Sequence, residues 1–215
     1  MENKGGDIME YIEREEEEFF KLLFLKKYLI GTSGIIAGGC FKNIFNGEHI
    51  KDIDMFFRNK NDFNEANNKY GKNKEFKFYY ENKNAVAYEE VKTGIVVELI
   101  KKTFGEPEAI LDHFDFTITK FCYYYEVDYD DEDLCMFNYC ILHHPKFFEH
   151  LHERKLVLQN DKLLYPFNTL ERSYRYCKYG YSLCRDSKIN LINAIRNSNK
   201  FSNDDLSKSL YDGLD

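Results

Sequence analysis

Residues 38–54 read GGCFKNIFNGEHIKDID, and the fold is decided by how this stretch is read. Side chains alternate along a strand, so an Asp-x-Asp at Asp52 and Asp54 presents both carboxylates to one face and can grip the same divalent ions. Ile53 and Met55 then turn to the opposite face and enter a core. Gly38 and Gly39 let the backbone pass close to a triphosphate without a Cβ in the way, and a helix opening near Cys40 would aim amide N–H groups at that phosphate. Diglycine turns and exposed acidic pairs are each common in loops. Their joint spacing is what points to metal and nucleotide chemistry.

The stretch resembles motif A of the class II tRNA nucleotidyltransferases and bacterial poly(A) polymerases, within the polymerase β-type nucleotidyltransferase superfamily. That pattern runs roughly GG-x-V-R-D-x-L-L-G, a few variable residues, then K-D-I-D. Gly38, Gly39, Gly47, Lys51, Asp52, Ile53 and Asp54 fall on it without a gap, while Lys42 stands where the family has Arg and Asn43 where it has Asp. His113 to Tyr123, HFDFTITKFCY, resembles motif B, R-R-D-F-T-I-N-A: Asp115, Phe116, Thr117 and Ile118 match, and His113, Phe114 and Thr119 replace two Arg and an Asn. Between them, GIVVELIKK (94–102) reads as a buried strand whose one acid, Glu98, takes the place of the family's third carboxylate. LERSYRYCKYGY (170–181) is similar, with shifts of register, to the run that opens the family's helical neck, and Arg172 and Arg175 share a helix face.

The resemblance implies an α+β fold: a small mixed β-sheet nucleotidyltransferase head with flanking helices over residues 1–130, and a short helical neck-like region over 131–215 packed on it. It implies a short, divergent, metal-dependent nucleotidyltransferase that moves a nucleoside monophosphate from a nucleoside triphosphate to an acceptor hydroxyl, releasing pyrophosphate. Asp52, Asp54 and Glu98 are the expected catalytic residues and the ligands of two Mg2+ ions. Gly38, Gly39, Lys42, Asp115, Thr117, Arg172 and Arg175 are the expected nucleotide contacts. The expected acceptor is an RNA 3′ end, met through aromatics such as Tyr174, Tyr176 and Tyr179, because the short stretch after Tyr181 leaves no room for a full tRNA clamp. Two alternatives stand beside this: transfer to a protein or small molecule, and a non-catalytic nucleotide- or partner-binding module that retains the fold.

Each residue also has a plainer reading. Asp52 and Asp54 could be solvated acids at a strand end, Glu98 an edge charge, Asp115 and Thr117 a cap after the GEPEAILDH helix, and Arg172 and Arg175 surface partners of Glu171 or Asp186. Cys135, Cys140, His143, His144, His150 and His152 lie close together, but their spacing fits no standard zinc module, and their aromatic neighbours Phe137, Tyr139, Phe147 and Phe148 suggest core packing. His113 could be a general base or a packing residue.

Composition agrees with a folded enzyme. The 215 residues are 43% hydrophobic and 17% aromatic, enough to bury a core. Runs such as FCYYY and IVVELI fall far short of a membrane span, the N-terminus lacks a signal-peptide layout, and the six cysteines are expected to stay thiols, so the cytoplasm is the expected address. A net charge of −7 gives no overall basic face for nucleic acid, although lysines gather in NNKYGKNKEFK and at Lys101 and Lys102. Periodicity predicts an amphipathic helix over 9–29; strands at 34–37, 52–58, 75–80, 85–91, 94–100 and 115–124; and helices near 41–45 and 62–70. From about residue 134 it predicts helices, near 145–154, 169–184 and 188–197, with a polar tail, NDDLSKSLYDGLD, that frays.

Overall fold

The computed structural model describes residues 10–129, 135–159, 163 and 165–198; the expected fraying of the tail lies outside them. In chain order the elements are β1 (Ile12–Glu15), two 3-10 turns (Glu16–Glu18 and Phe20–Leu25), α1 (Lys26–Leu29), β2 (Gly34–Ala37), α2 (Cys40–Asn46), β3 (Asp52–Phe57) and α3 (Lys60–Lys72). There follow β4 (Phe76–Glu81), β5 (Ala85–Glu90), β6 (Val96–Phe104), α4 (Pro107–Asp112), a 3-10 turn (Thr117–Thr119), β7 (Phe121–Tyr129) and β8 (Cys135–His143). The chain continues through α5 (Phe147–His152), β9 (Lys155–Leu156), α6 (Pro166–Lys178), β10 (Ser182–Leu183) and α7 (Arg185–Asn197). The fold is α+β, as expected.

One eight-stranded mixed sheet in the order β1-β8-β7-β2-β3-β6-β5-β4 organises the molecule. Only β3 and β6 pair in parallel, and all other neighbours in it run antiparallel. One sheet face buries Ile36, Ile53, Met55, Phe57, Val86, Tyr88, Val97 and Leu99 in the larger core, under α1, α2 and α3. The other face carries a smaller core, Ile35, Ala37, Phe56, Ala85, Ile100 and Phe114, covered by Ile110 and Leu111 of α4. Beyond that small core, at the start of β3, stand the acids, Asp52 exposed and Asp54 half-buried.

Local chemistry explains the elements around these acids. Gly47 closes α2 in the left-handed conformation, φ +68°, which spares a Cβ penalty. Asn59 caps α3 by accepting from the amides of Asn61 and Asp62. Pro166 opens α6 at the position where its missing N–H costs nothing.

Three expectations need correction. Residues 9–29 do not form one helix. The like charges of EREEEE oppose helix there, Ile12–Glu15 pairs with the open edge of β8, and Leu22, Leu25 and Tyr28 keep a buried spacing of three that 3-10 geometry serves. The strand expected over 115–124 begins only at Phe121, because Thr119 turns its hydroxyl back to the Phe116 carbonyl while Asp115 is drawn to α6. Residues 135–143 are the strand β8 rather than helix, paired along its length with β7, and the helices start at Phe147. Long-range pairing outweighs local preference at such aromatic runs.

Candidate active site

The acids arise from strand register. Asp52 and Asp54 leave the same face of β3, Asp52 exposed and Asp54 half-buried, while Ile53 and Met55 are fully buried behind them. The parallel pairing sets Asp54 directly opposite Glu98 of β6, and Asp52 opposite Val96. Cys40, at the start of α2, reports their field: its thiol is pushed well up by burial and then by the charges of Asp54 and Asp52.

The diglycine shapes the floor. Gly38 has φ +100°, and a Cβ there would meet the Phe114 ring at 3.0 Å and Asp54 Oδ2 at 3.5 Å. Phe114, which stands at a motif B arginine position, is buried and packs edge-on to Phe56 at 5.8 Å. Phe114 is thus core beneath the glycine. A Cβ on Gly39 would sit 3.5 Å from the Tyr176 hydroxyl, so α6 closes down on the turn.

Between the acids and α6 lies a cleft of about 400 Å³, lined by residues that include Gly39, Lys42, Asp52, Asp54, Arg172, Arg175, Tyr176 and Tyr179. This is within the usual range for small-molecule sites. One face of α6 lines this wall: Arg172, then Arg175 and Tyr176 a turn later, then Tyr179 just past its end.

Two cations of the wall hold carboxylates. Lys42 is buried, 2.7 Å from Glu48, and its ammonium lies 4.9 Å from the Tyr179 ring centroid and 5.9 Å from that of Tyr181. Arg172 is ion-paired with Asp115, whose carboxylate also accepts from Thr169 at 2.8 Å. Both side chains of that pair are nearly buried, at 10% and 13% exposure. Asp115 therefore ties the motif B segment to α6. Thr117 is buried away from the cleft and meets His150 Nδ1 at 2.8 Å, while His113 is exposed at the end of α4.

The structure brings Gly38, Asp54 and Glu98, expected from the sequence on a turn and two strands, next to one another, with Asp52 and Gly39 on the cleft wall beside them. Sequence reasoning missed Glu48 and His49, which line the cleft from the variable part of motif A, and Tyr80, whose hydroxyl donates to Glu98. Neither Glu48 nor Tyr80 had a signal in the sequence: Glu48 meets Lys42 six residues back, past the end of α2. In the described part of the Cys/His cluster, each ring nitrogen contact is to protein: His143 Nδ1 to the His144 carbonyl, His144 Nδ1 to the Lys146 amide, His150 to Thr117.

Among the described residues no three His, Cys, Asp or Glu side chains converge into a closed metal-binding set. The cleft offers instead an open pair, Asp52 and Asp54, with Glu98 across the strand boundary. Mg2+ is usually held by one or two carboxylates together with waters and substrate phosphates, so an open pair of hard oxygen donors fits it.

A family model described as "Gabija anti-defense 2 family protein" matches residues 11–154, and the chain belongs to that family. It is 25% identical over 171 residues to "Gabija anti-defense 2" of Bacillus phage SPbetaL7, covering 75% of this chain and 37% of that protein. Among solved structures it is similar to a CCA-adding enzyme in complex with ATP (TM-score 0.62, 14% identity, 92% of this chain and 50% of that one). A CCA-adding enzyme with CTP gives TM-score 0.60 at 14% identity over 95% and 51% of the two chains. The Thermotoga maritima CCA-adding enzyme complexed with tRNA gives 0.58 at 13% over 95% and 52%. The chain spans about two-fifths of the phage relative and about half of each enzyme. At these identities the likeness to the enzymes is one of fold. No described helix is long and apolar enough to cross a membrane.

Proposed function

We propose that this member of the Gabija anti-defense 2 family is a metal-dependent nucleotidyltransferase, moving a nucleoside monophosphate from a nucleoside triphosphate to an acceptor hydroxyl with release of pyrophosphate. One observation carries the reading: two carboxylates on one strand face, with a third in register beside them, opening into a cleft of nucleotide size behind a diglycine turn. Asp52, Asp54 and Glu98 would hold Mg2+, which when bound lowers the pKa of an attacking hydroxyl and neutralises charge growing on the triphosphate. The residues' own work is positional. Gly38 and Gly39 leave room for phosphates against the backbone, Arg175 faces them from α6, and Tyr176 and Tyr179 offer ring faces to a base.

For the acceptor, the RNA 3′ end remains the first reading, supported by the tRNA carried by a protein of the same fold. Family membership favours a second: a hydroxyl on a component of the defence that the family opposes, carried by protein or a small molecule. The engagement of Lys42 by Glu48 and of Arg172 by Asp115 supports a third, binding without transfer. The test is incubation with each α-labelled triphosphate and Mg2+, beside total RNA and beside a protein extract of the host. Label in RNA, with a short single-stranded end extended as well as full-length tRNA, supports the first. Label in protein or a small molecule establishes the second, and retention of label without transfer overturns catalysis.

A further inference from the structure

Tyr80 reaches the acids through an irregularity in the edge strand. Along β4, Phe76 pairs with Glu90, Lys77 with Glu89 and Phe78 with Tyr88; the register then slips, and Tyr80 pairs with Ala87. Strict alternation would put Tyr80 on the face of Phe76 and Phe78, opposite Val86 and against the larger core. The extra residue, Tyr79, turns Tyr80 to the other face, as a β-bulge re-aims a side chain.

On that face, register lays out a row. Tyr80 stands opposite Ala87, Ala87 opposite Glu98, Glu98 opposite Asp54, and Asp54 opposite Ala37. Ala87 is fully buried and carries only a methyl group, so the phenol extends across it and its hydroxyl donates to Glu98. Burial and this bond to Glu98, with the charges of Asp54 and Asp52, push the phenol above its ordinary range. The bulge and the small side chain of Ala87 together permit this one bond to one carboxylate.

We propose that Tyr80 is a positioning residue for the acid row, holding the Glu98 carboxylate beside Asp54, where it tunes the divalent-cation affinity of the Asp52–Asp54 pair. The inference rests on the metal-dependent reading above and adds to it a residue from a strand that carries no motif. Partners of metal-binding side chains are worth about tenfold to a hundredfold in metal affinity when removed, and Tyr80 stands in that relation to Glu98.

The experiment uses Mn2+ alone as probe, titrated calorimetrically into wild type, Tyr80→Phe and the neighbouring control Tyr79→Phe, with thermal melting of each. Tyr80→Phe removes one oxygen and is expected to weaken Mn2+ binding about tenfold while Tyr79→Phe leaves it unchanged, with all melting temperatures alike. A second readout is the NMR signal of ring-labelled tyrosine, identified by its loss in Tyr80→Phe, which should shift on adding Mg2+ and shift again in Glu98→Gln. Equal Mn2+ affinity in wild type and Tyr80→Phe, or a Tyr80 signal indifferent to Glu98→Gln, overturns the inference alone. Wild type that binds no Mn2+ overturns the metal reading and this inference with it.

Discussion

The acids of β3 and the cations of α2 and α6 face one another across the cleft, yet they are held differently. Asp52 and Asp54 stand on a strand paired with β6 from its first residue and with β2 from Asp54 on, one acid exposed and one half-buried, with Ile53 and Met55 buried behind them. Lys42 and Arg172 are buried, and each already holds a carboxylate, Glu48 and Asp115. Acids on the cleft wall, one of them exposed, can meet an incoming cation, whereas a buried cation with a carboxylate partner exchanges that partner only against a desolvation penalty. The acidic side is thus built for a ligand, and much of the basic side is built to fix α6 to the head.

The comparison breaks most visibly at the acids. Asp52→Ala or Asp54→Ala should lower transfer about a thousandfold or more, because charge stabilisation worth several kcal/mol is lost, while circular dichroism and melting stay unchanged. Transfer at the wild-type rate in the double variant would end the assignment. Glu98→Gln should lower turnover by about a hundredfold and raise the Mg2+ needed for half-maximal rate; an unmoved midpoint would make Glu98 structural.

At the cations the expected effect is on folding. Arg172→Ala leaves Asp115 nearly buried and without its ion partner, and should destabilise by about 3 kcal/mol in urea unfolding, with Asp115→Asn on top of it recovering part of the loss. A loss below about 0.5 kcal/mol, the range of exposed pairs, would show that the pair does not anchor α6.

Glu48→Gln should sharpen the contrast in the opposite direction. It leaves Lys42 charged beside Tyr179 and Tyr181, and ATP should bind roughly threefold to tenfold more tightly at low salt, the size of one charged contact. Weaker binding would mean that the pair itself shapes the pocket.

The smallest effect is in pH. Burial, helped by Lys120, His150, His143 and Lys146, lowers His144 from its ordinary value to about 4, and its Nδ1 accepts from the Lys146 amide. The folded state therefore binds this proton less readily than the unfolded chain, and the stability tied to neutral His144 is lost as pH falls from 6.5 toward 4. His144→Gln should flatten that part of the melting-temperature profile; a profile parallel to wild type would show that His144 does not titrate with unfolding.

Legibility followed the range of the interactions. Asp52 and Asp54 could be read because two positions on one strand need only period-two geometry, and Gly38 and Gly47 because each turn asks for a conformation that glycine adopts without strain. Residues 9–29 and 135–143 were misread because their partners lie far along the chain: Ile12 pairs with His143, and β8 completes β7. Thr117 carried the right motif letter but turned inward to His150.

By itself, then, the sequence determined the α+β class, the position of the diglycine turn and the paired acids, since these follow from local geometry and from chemistry carried by the residues themselves. Only tertiary structure decided that Glu98 lies opposite Asp54, that Tyr80 comes round a bulge to meet it, and that Lys42, Asp115 and Arg172 hold partners of their own. Strand register, and the pairing of charges excluded from water, depend on which distant segments meet. No local pattern encodes that meeting.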